Sequence, residues 1–221
     1  GVYALRFDAT AWPIHEAHTL YADGGDDLAE YGMSKIAAEN LVSFQATMGK
    51  AQRGRPLKGP FEHVILRFAP VYGTGDTLVD RHVRAVCRQA QAGAPAPPLP
   101  DAASPGEQVL HVDDALEALT RACFDPRAAG LTVTIAGPDV ASLADMTRLA
   151  RIALGRATPE ELIPRRSRVW SRYLQQYDLD RARTAFGFRP SVPVAEGLRR
   201  IIASAPAAYP EEIRGHAHAP G

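Results

Sequence analysis

Apolar and polar positions alternate along this chain with two different periods. Between residues 28 and 48, Ile36, Leu41, Phe44 and Met48 recur at helical spacing, and Asp26 or Asp27 just before them can cap such a helix. A basic polar loop over 49–59 follows. His63-Val64-Ile65-Leu66-Arg67-Phe68 is then an almost continuous apolar run of strand length, as a strand buried on both faces of a parallel sheet requires. The pattern next predicts a helix over 78–90, a Pro/Ala-rich connector over 95–105, and a strand over 108–112. That strand leads into a helix begun by Asp113 or Asp114 and ending near 124. A β-branched strand over 131–136 is stopped by Gly137-Pro138. Ser142, with Asp145 three residues on, reads as a capping box for a helix through 154. Helices over 178–186, closed by Gly187, and over 193–203, opened by Pro193, complete the pattern.

Residues 1–27 read as loop with room for a short strand at the start, and 205–221 as a disordered tail. Strand–helix alternation over 28–136 predicts an α/β layer, and a helix-only stretch over 142–204 predicts a smaller lobe. No internal repeat is visible.

A chain of 221 residues can bury a substantial core. Lys and Arg total 25, as do Asp and Glu; this balance argues against nucleic acid or an anionic membrane as the main partner and leaves small molecules. No run approaches the ~18 apolar residues needed to span a bilayer, and the first residues lack a signal-peptide core. A cytoplasmic protein is expected. Cys87 and Cys123 fall in helix-like stretches and read as two reduced, buried thiols.

Tyr31-Gly32-Met33-Ser34-Lys35 places a phenol and an ammonium at i and i+4, one turn apart on one helix face. A free phenol, with a pKa of about 10, is a poor proton shuttle at neutral pH. A fixed cation nearby favours its ionised form and makes it able to take or return an alcohol proton. The spacing alone is a weak signal; a surface tyrosine over a solvated lysine has the same pattern.

Three further stretches follow Tyr31 to Glu39 in order: Leu66-Arg67-Phe68-Ala69-Pro70-Val71-Tyr72-Gly73-Thr74-Gly75-Asp76, then Leu110-His111-Val112-Asp113-Asp114, then residues 180–190 with 194–200. The series resembles the extended short-chain dehydrogenase/reductases, the NAD-dependent epimerase/dehydratase family, from about residue 1 to 202. The resemblance implies an α/β fold: the C-terminal part of a Rossmann-type parallel sheet with a small helical substrate lobe. Residues 1–75 and 109–137 would form the partial NAD(P)-binding domain, and 76–108 with 138–204 the substrate lobe. It implies Tyr31 as general acid/base and Lys35 as the group that activates it and holds the nicotinamide ribose. Ala69, Pro70 and Val71 would lie beside the nicotinamide of NAD or NADP, although Pro70 reads equally well as a strand terminator. Gly73 and Gly75 would allow a tight turn into the lobe. The family role of Asp113 and Asp114 is to cap a helix; with His111 they also invite a metal reading. Arg165, Arg166, Arg168 and Arg172 suit a ligand phosphate or a solvated helix face. A homodimer through the Tyr31 helix is common in the family.

The chain departs from the family pattern in several places. A glycine-rich GxxGxxG loop, which seats the cofactor pyrophosphate at a helix N-terminus, is absent from these residues. Gly1-Val2-Tyr3-Ala4 and Pro13-Ile14-His15-Glu16 resemble segments that follow the family's catalytic Ser/Thr, so an incomplete, poorly stable polypeptide that holds NAD(P) weakly is expected. Pro70 stands where nucleotide-sugar enzymes usually have Asn, and Glu107 where many have a phosphate-binding Arg. The resemblance implies a nucleotide-sugar or related hydroxyl/carbonyl substrate; the sign reversal at Glu107 weighs against the diphosphate and opens a reductase acting on a less charged carbonyl or hydroxyl compound as a second reading. The alternative is a non-catalytic binding or interaction module derived from the same fold.

Overall fold

The computed structural model describes residues 13–17, 29–48, 62–75, 77–92, 106–156 and 176–204. The first helix, α1, spans Ala29–Met48; the capping aspartates expected before it lie outside the described residues. The apolar run yields β1, Ile65–Phe68, which pairs in parallel with β5, Thr132–Ile135. β2, Val71–Tyr72, pairs in parallel with β4, Leu110–His111. β3, Glu107–Gln108, pairs antiparallel with β6, Val140–Ala141. Helices α2 (Leu78–Gln91), α3 (Val112–Phe124), α4 (Leu143–Ala153), α5 (Asp180–Phe186) and α6 (Val194–Ser204) complete the order. The α/β class expected from the alternation is present, with parallel pairs at its centre.

Two apolar clusters form the core. One gathers Leu110, Val133, Ile135, Phe186 and Phe188 around the β1–β5 pair. The other gathers Tyr72, Val83, Val109, Leu198 and Ile201, where α2, α4 and α6 pack together. Val109 belongs to the second cluster and Leu110 to the first, as successive strand residues facing opposite ways should.

Several expectations are corrected. The strand expected over 108–112 is two strands, because the chain exchanges partners at Val109, β3 pairing with β6 and β4 with β2. The stretch over 142–204 is not helix-only: Tyr177 is extended and forms a parallel bridge with Ile14, and both are buried. Cys87 is buried as expected, but Cys123 is exposed on the outer face of α3. The capping box at α4 is present, Ser142 Oγ accepting from the Asp145 N–H and Asp145 accepting from the Ser142 N–H. Gly187 closes α5 with φ 69°, a left-handed position that favours glycine. The expected tail and Arg165, Arg166, Arg168 and Arg172 lie outside the described residues.

Candidate active site

The extended segment that begins as β1 changes partner at its end. The Ala69 N–H donates to the Ile135 carbonyl at 2.8 Å, and one residue later the Pro70 carbonyl accepts from the Leu110 N–H at 2.9 Å. The segment therefore leaves β5 and joins β4 between Ala69 and Pro70. Proline suits this point because it has no N–H to leave unpaired as the ladder shifts. Ala69 is buried, Pro70 half-buried, and Val71 39% exposed. In open parallel sheets, ligands bind beyond the carboxyl ends of strands, which is where these three residues stand.

Tyr31 and Lys35 lie in the first half of α1. Lys35 Nζ is 5.0 Å from the centroid of the Tyr31 ring, within cation–π range. The two side chains are turned toward each other, and both are exposed, Tyr31 at 45%. Ser34, between them, donates its hydroxyl to the Tyr31 carbonyl at 2.7 Å. On the same helix Gly32 is buried and Ile36, Glu39, Val42 and Ala46 are half-buried, a stripe at helical spacing.

Glu39, within that stripe, meets Arg67 of β1. Arg67 is 5% exposed. Its Nε donates to Glu39 Oε2 at 3.1 Å and its Nη2 to Oε1, forming a two-pronged ion pair. Arg67 Nη1 donates to the Glu16 carbonyl at 2.9 Å. The Glu16 carboxylate accepts from the Thr134 N–H in β5 at 2.8 Å and approaches Arg181 at 3.7 Å. A polar chain thus ties α1 to both central strands and to α5. Sequence reasoning assigned none of these residues a role. The available signal was a lone arginine inside an apolar run, which must find a partner when buried.

His111, Asp113 and Asp114 prove to be a junction between α3 and α6. The helix starts at Val112, and its cap is His111, whose Nδ1 accepts from the Asp113 N–H at 3.2 Å; the expected aspartate caps are corrected. Asp114 instead accepts from the Ser191 N–H and hydroxyl and from the Val192 N–H, at 2.9–3.1 Å. Asp113 pairs with Arg200 at 2.7 Å. Tyr72 stacks edge-on against His111 at 5.2 Å, and burial pushes the imidazole below its ordinary range. With these atoms engaged in the fold, the metal reading of His111 gains no support from the geometry.

Glu107 is half-buried on β3, and desolvation alone pushes its carboxyl up to about 7. Two open clefts flank Phe124, which is 84% exposed. Neither is lined by Tyr31, Lys35, Ala69, Pro70 or Val71.

Parallel strand pairs with helices packed on them define an α/β protein of Rossmann type. The chain belongs to the NAD dependent epimerase/dehydratase family, matched over residues 9–136. It is 30% identical over 149 residues to the 2'-dehydrokanamycin reductase of Streptomyces kanamyceticus, an alignment covering 67% of this chain and 38% of the reductase. Its fold is similar to RMD from Pseudomonas aeruginosa, solved with NADPH: TM-score 0.69 and 17% identity, over 92% of this chain and 63% of that one. It is also similar to UDP-glucuronic acid 4-epimerase from Bacillus cereus, solved with NAD: TM-score 0.64 and 19% identity, over 91% of this chain and 57% of that one. The chain thus spans less than two thirds of the length of these relatives. Among the described residues no helix is long and apolar enough to cross a membrane.

Proposed function

We propose that this chain supplies the acid–base half of a nicotinamide-dependent oxidoreductase, with Tyr31 as general acid/base and Lys35 as its activating cation. The observation that carries the reading is the Lys35 ammonium 5.0 Å from the Tyr31 ring, on a helix whose Glu39 is bound to the strand that leads into Ala69 and Pro70. A helix covering parallel strands runs opposite to them, so moving from Glu39 back to Tyr31 follows β1 forward from Arg67 toward its end. Family membership supports reading this end as the nicotinamide's place.

The residues present fit that group. Val71 and the half-buried Pro70 offer a small, apolar surface at the strand end, and Lys35 is an exposed donor for a ribose hydroxyl. When bound, the nicotinamide supplies a two-electron carrier for interconverting an alcohol and a carbonyl. Tyr31 holds or releases the proton of the substrate oxygen, and Lys35 keeps a positive charge over the phenol ring. Residues 1–75 with 109–137 would carry the cofactor side and 76–108 with 138–204 the substrate side. Exposed Met33, Leu41 and Phe44 suit α1 to pairing with a second copy of the chain.

Glu107 favours a substrate without a diphosphate, because it supplies none of the positive charge with which an arginine at that place would hold a phosphate. An uncharged or amine-bearing carbonyl sugar fits better, in keeping with the dehydrokanamycin reductase to which the chain is similar. The test is turnover of 2'-dehydrokanamycin with NADPH and of UDP-glucose with NAD, using the full-length gene product. Tyr31→Phe is expected to lower kcat by about 10²-fold or more, and near-normal turnover in that variant would remove Tyr31 from the mechanism.

A further inference from the structure

We propose that Glu39 and Arg67 are positioning residues for the Tyr31–Lys35 pair: their ion pair fixes the rotation of α1 and so the direction in which phenol and ammonium face. The inference rests on the reading of Tyr31 and Lys35 given above. Apolar burial alone defines that rotation weakly, because Met33, Leu41 and Phe44 are exposed on the same helix whose Ile36 and Val42 are half-buried. The charged member of the buried stripe is Glu39. It stands four residues after Lys35 and eight after Tyr31, about 6 and 12 Å along the axis and stepped by about 40° per four residues. A rotation of α1 by one residue, about 100°, would withdraw the carboxylate from both guanidinium donors.

Arg67 makes a fixed reference point. It is buried in β1, its third donor is held by the Glu16 carbonyl, and Glu16 is in turn held by the Thr134 N–H of β5. The planar fork accepts a carboxylate in one orientation, so the helix is indexed against two paired strands rather than merely attracted to them. A buried ion pair is weak evidence for added stability, while its geometry specifies one arrangement among several of similar packing energy. That arrangement is what a proton-transferring phenol requires, since an error of about 1 Å in placement lowers rates by up to about 10²-fold.

The test compares Glu39→Gln with two controls in the full-length gene product, assayed with 2'-dehydrokanamycin and NADPH. Glu39→Gln is expected to lower kcat by about 10- to 100-fold while the KM for NADPH stays nearly unchanged. Ser142→Ala, which removes the cap of α4, gauges the effect of lost stability by itself and should lower kcat far less than Glu39→Gln does. If Tyr31→Phe abolishes turnover and Glu39→Gln does not, the positioning role is overturned and the acid–base reading stands. If Tyr31→Phe retains turnover, both fall. A second readout needs neither catalysis nor a variant. In the 221-residue chain, amide hydrogen exchange should show α1 around Glu39 opening together with β1 as one unit. Exchange in α1 about 10²-fold faster than in β1 overturns the clamp.

Discussion

Glu107 shows how one side chain can set the pH range in which this fold is comfortable. Burial holds its carboxyl at about 7, against an ordinary 4.5. The folded protein therefore binds a proton more tightly than the unfolded chain. Stability contributed by the neutral acid is present in full below about pH 4.5 and is lost as pH rises toward about 7. Glu107→Gln removes this titration, so its advantage over wild type should be near zero at pH 4.5 and grow to about 1–3 kcal/mol at pH 8. Urea unfolding at the two pH values checks it; an equal effect at both would mean that Glu107 ionises without penalty in the fold. Gly197 makes a different point at the same scale. A Cβ there would overlap the Tyr72 hydroxyl and crowd His111, and both rings are buried. Gly197→Ala is expected to destabilise by about 1–3 kcal/mol, read as a drop in the urea midpoint.

At the scale of elements, what was legible in the sequence is what local chemistry decides. Ser142 and Asp145 announce the start of α4 because their side chains satisfy each other's backbone donors, and the structure forms that box. Ser142→Ala should cost about 1 kcal/mol, and no change in thermal or urea stability would show that the cap is replaced by solvent. Gly187 likewise marks the end of α5. The partner exchange at Ala69–Pro70 was not legible, because both partners, β5 and β4, are remote in sequence and no local pattern in β1 names either of them. His111 as the cap of α3 was missed for a related reason. Asp113 and Asp114 are the better capping residues in isolation, but Asp114 is claimed by Ser191 and Val192, a contact set by tertiary packing. The Ile14–Tyr177 bridge is a single residue pair, too short for any periodic signal. For the candidate site, the sequence named Tyr31, Lys35 and the Ala69–Pro70–Val71 strip, but not the Arg67–Glu39–Glu16 chain that connects helix to sheet.

Among the described residues the two core clusters meet at a close approach between backbones. Val109 points into the lobe cluster and Leu110 into the sheet cluster, so the strand residues around them are shared. Gly137, just after β5, packs directly on the Val109 carbonyl oxygen, and a Cβ at that position would overlap it. Gln108 reinforces the joint from both sides: its Nε2 donates to the Gly137 carbonyl at 2.5 Å, and its Oε1 accepts from the Tyr177 N–H at 2.8 Å. Because the obstacle is backbone rather than a flexible side chain, Gly137→Ala cannot be absorbed by a rotamer change. The strands must separate, which strains the Gln108 bonds as well. The expected outcome is a loss of about 2–4 kcal/mol, the scale of overpacking plus one buried hydrogen bond. The two clusters should still unfold in a single transition in the wild-type chain, since neither can open without breaking this joint. Urea unfolding followed by Tyr/Trp fluorescence and by far-UV circular dichroism checks both statements. Coincident curves with a lowered midpoint for Gly137→Ala support a shared core, whereas two separated transitions in the wild type would mean that the sheet and the lobe hold their structures independently.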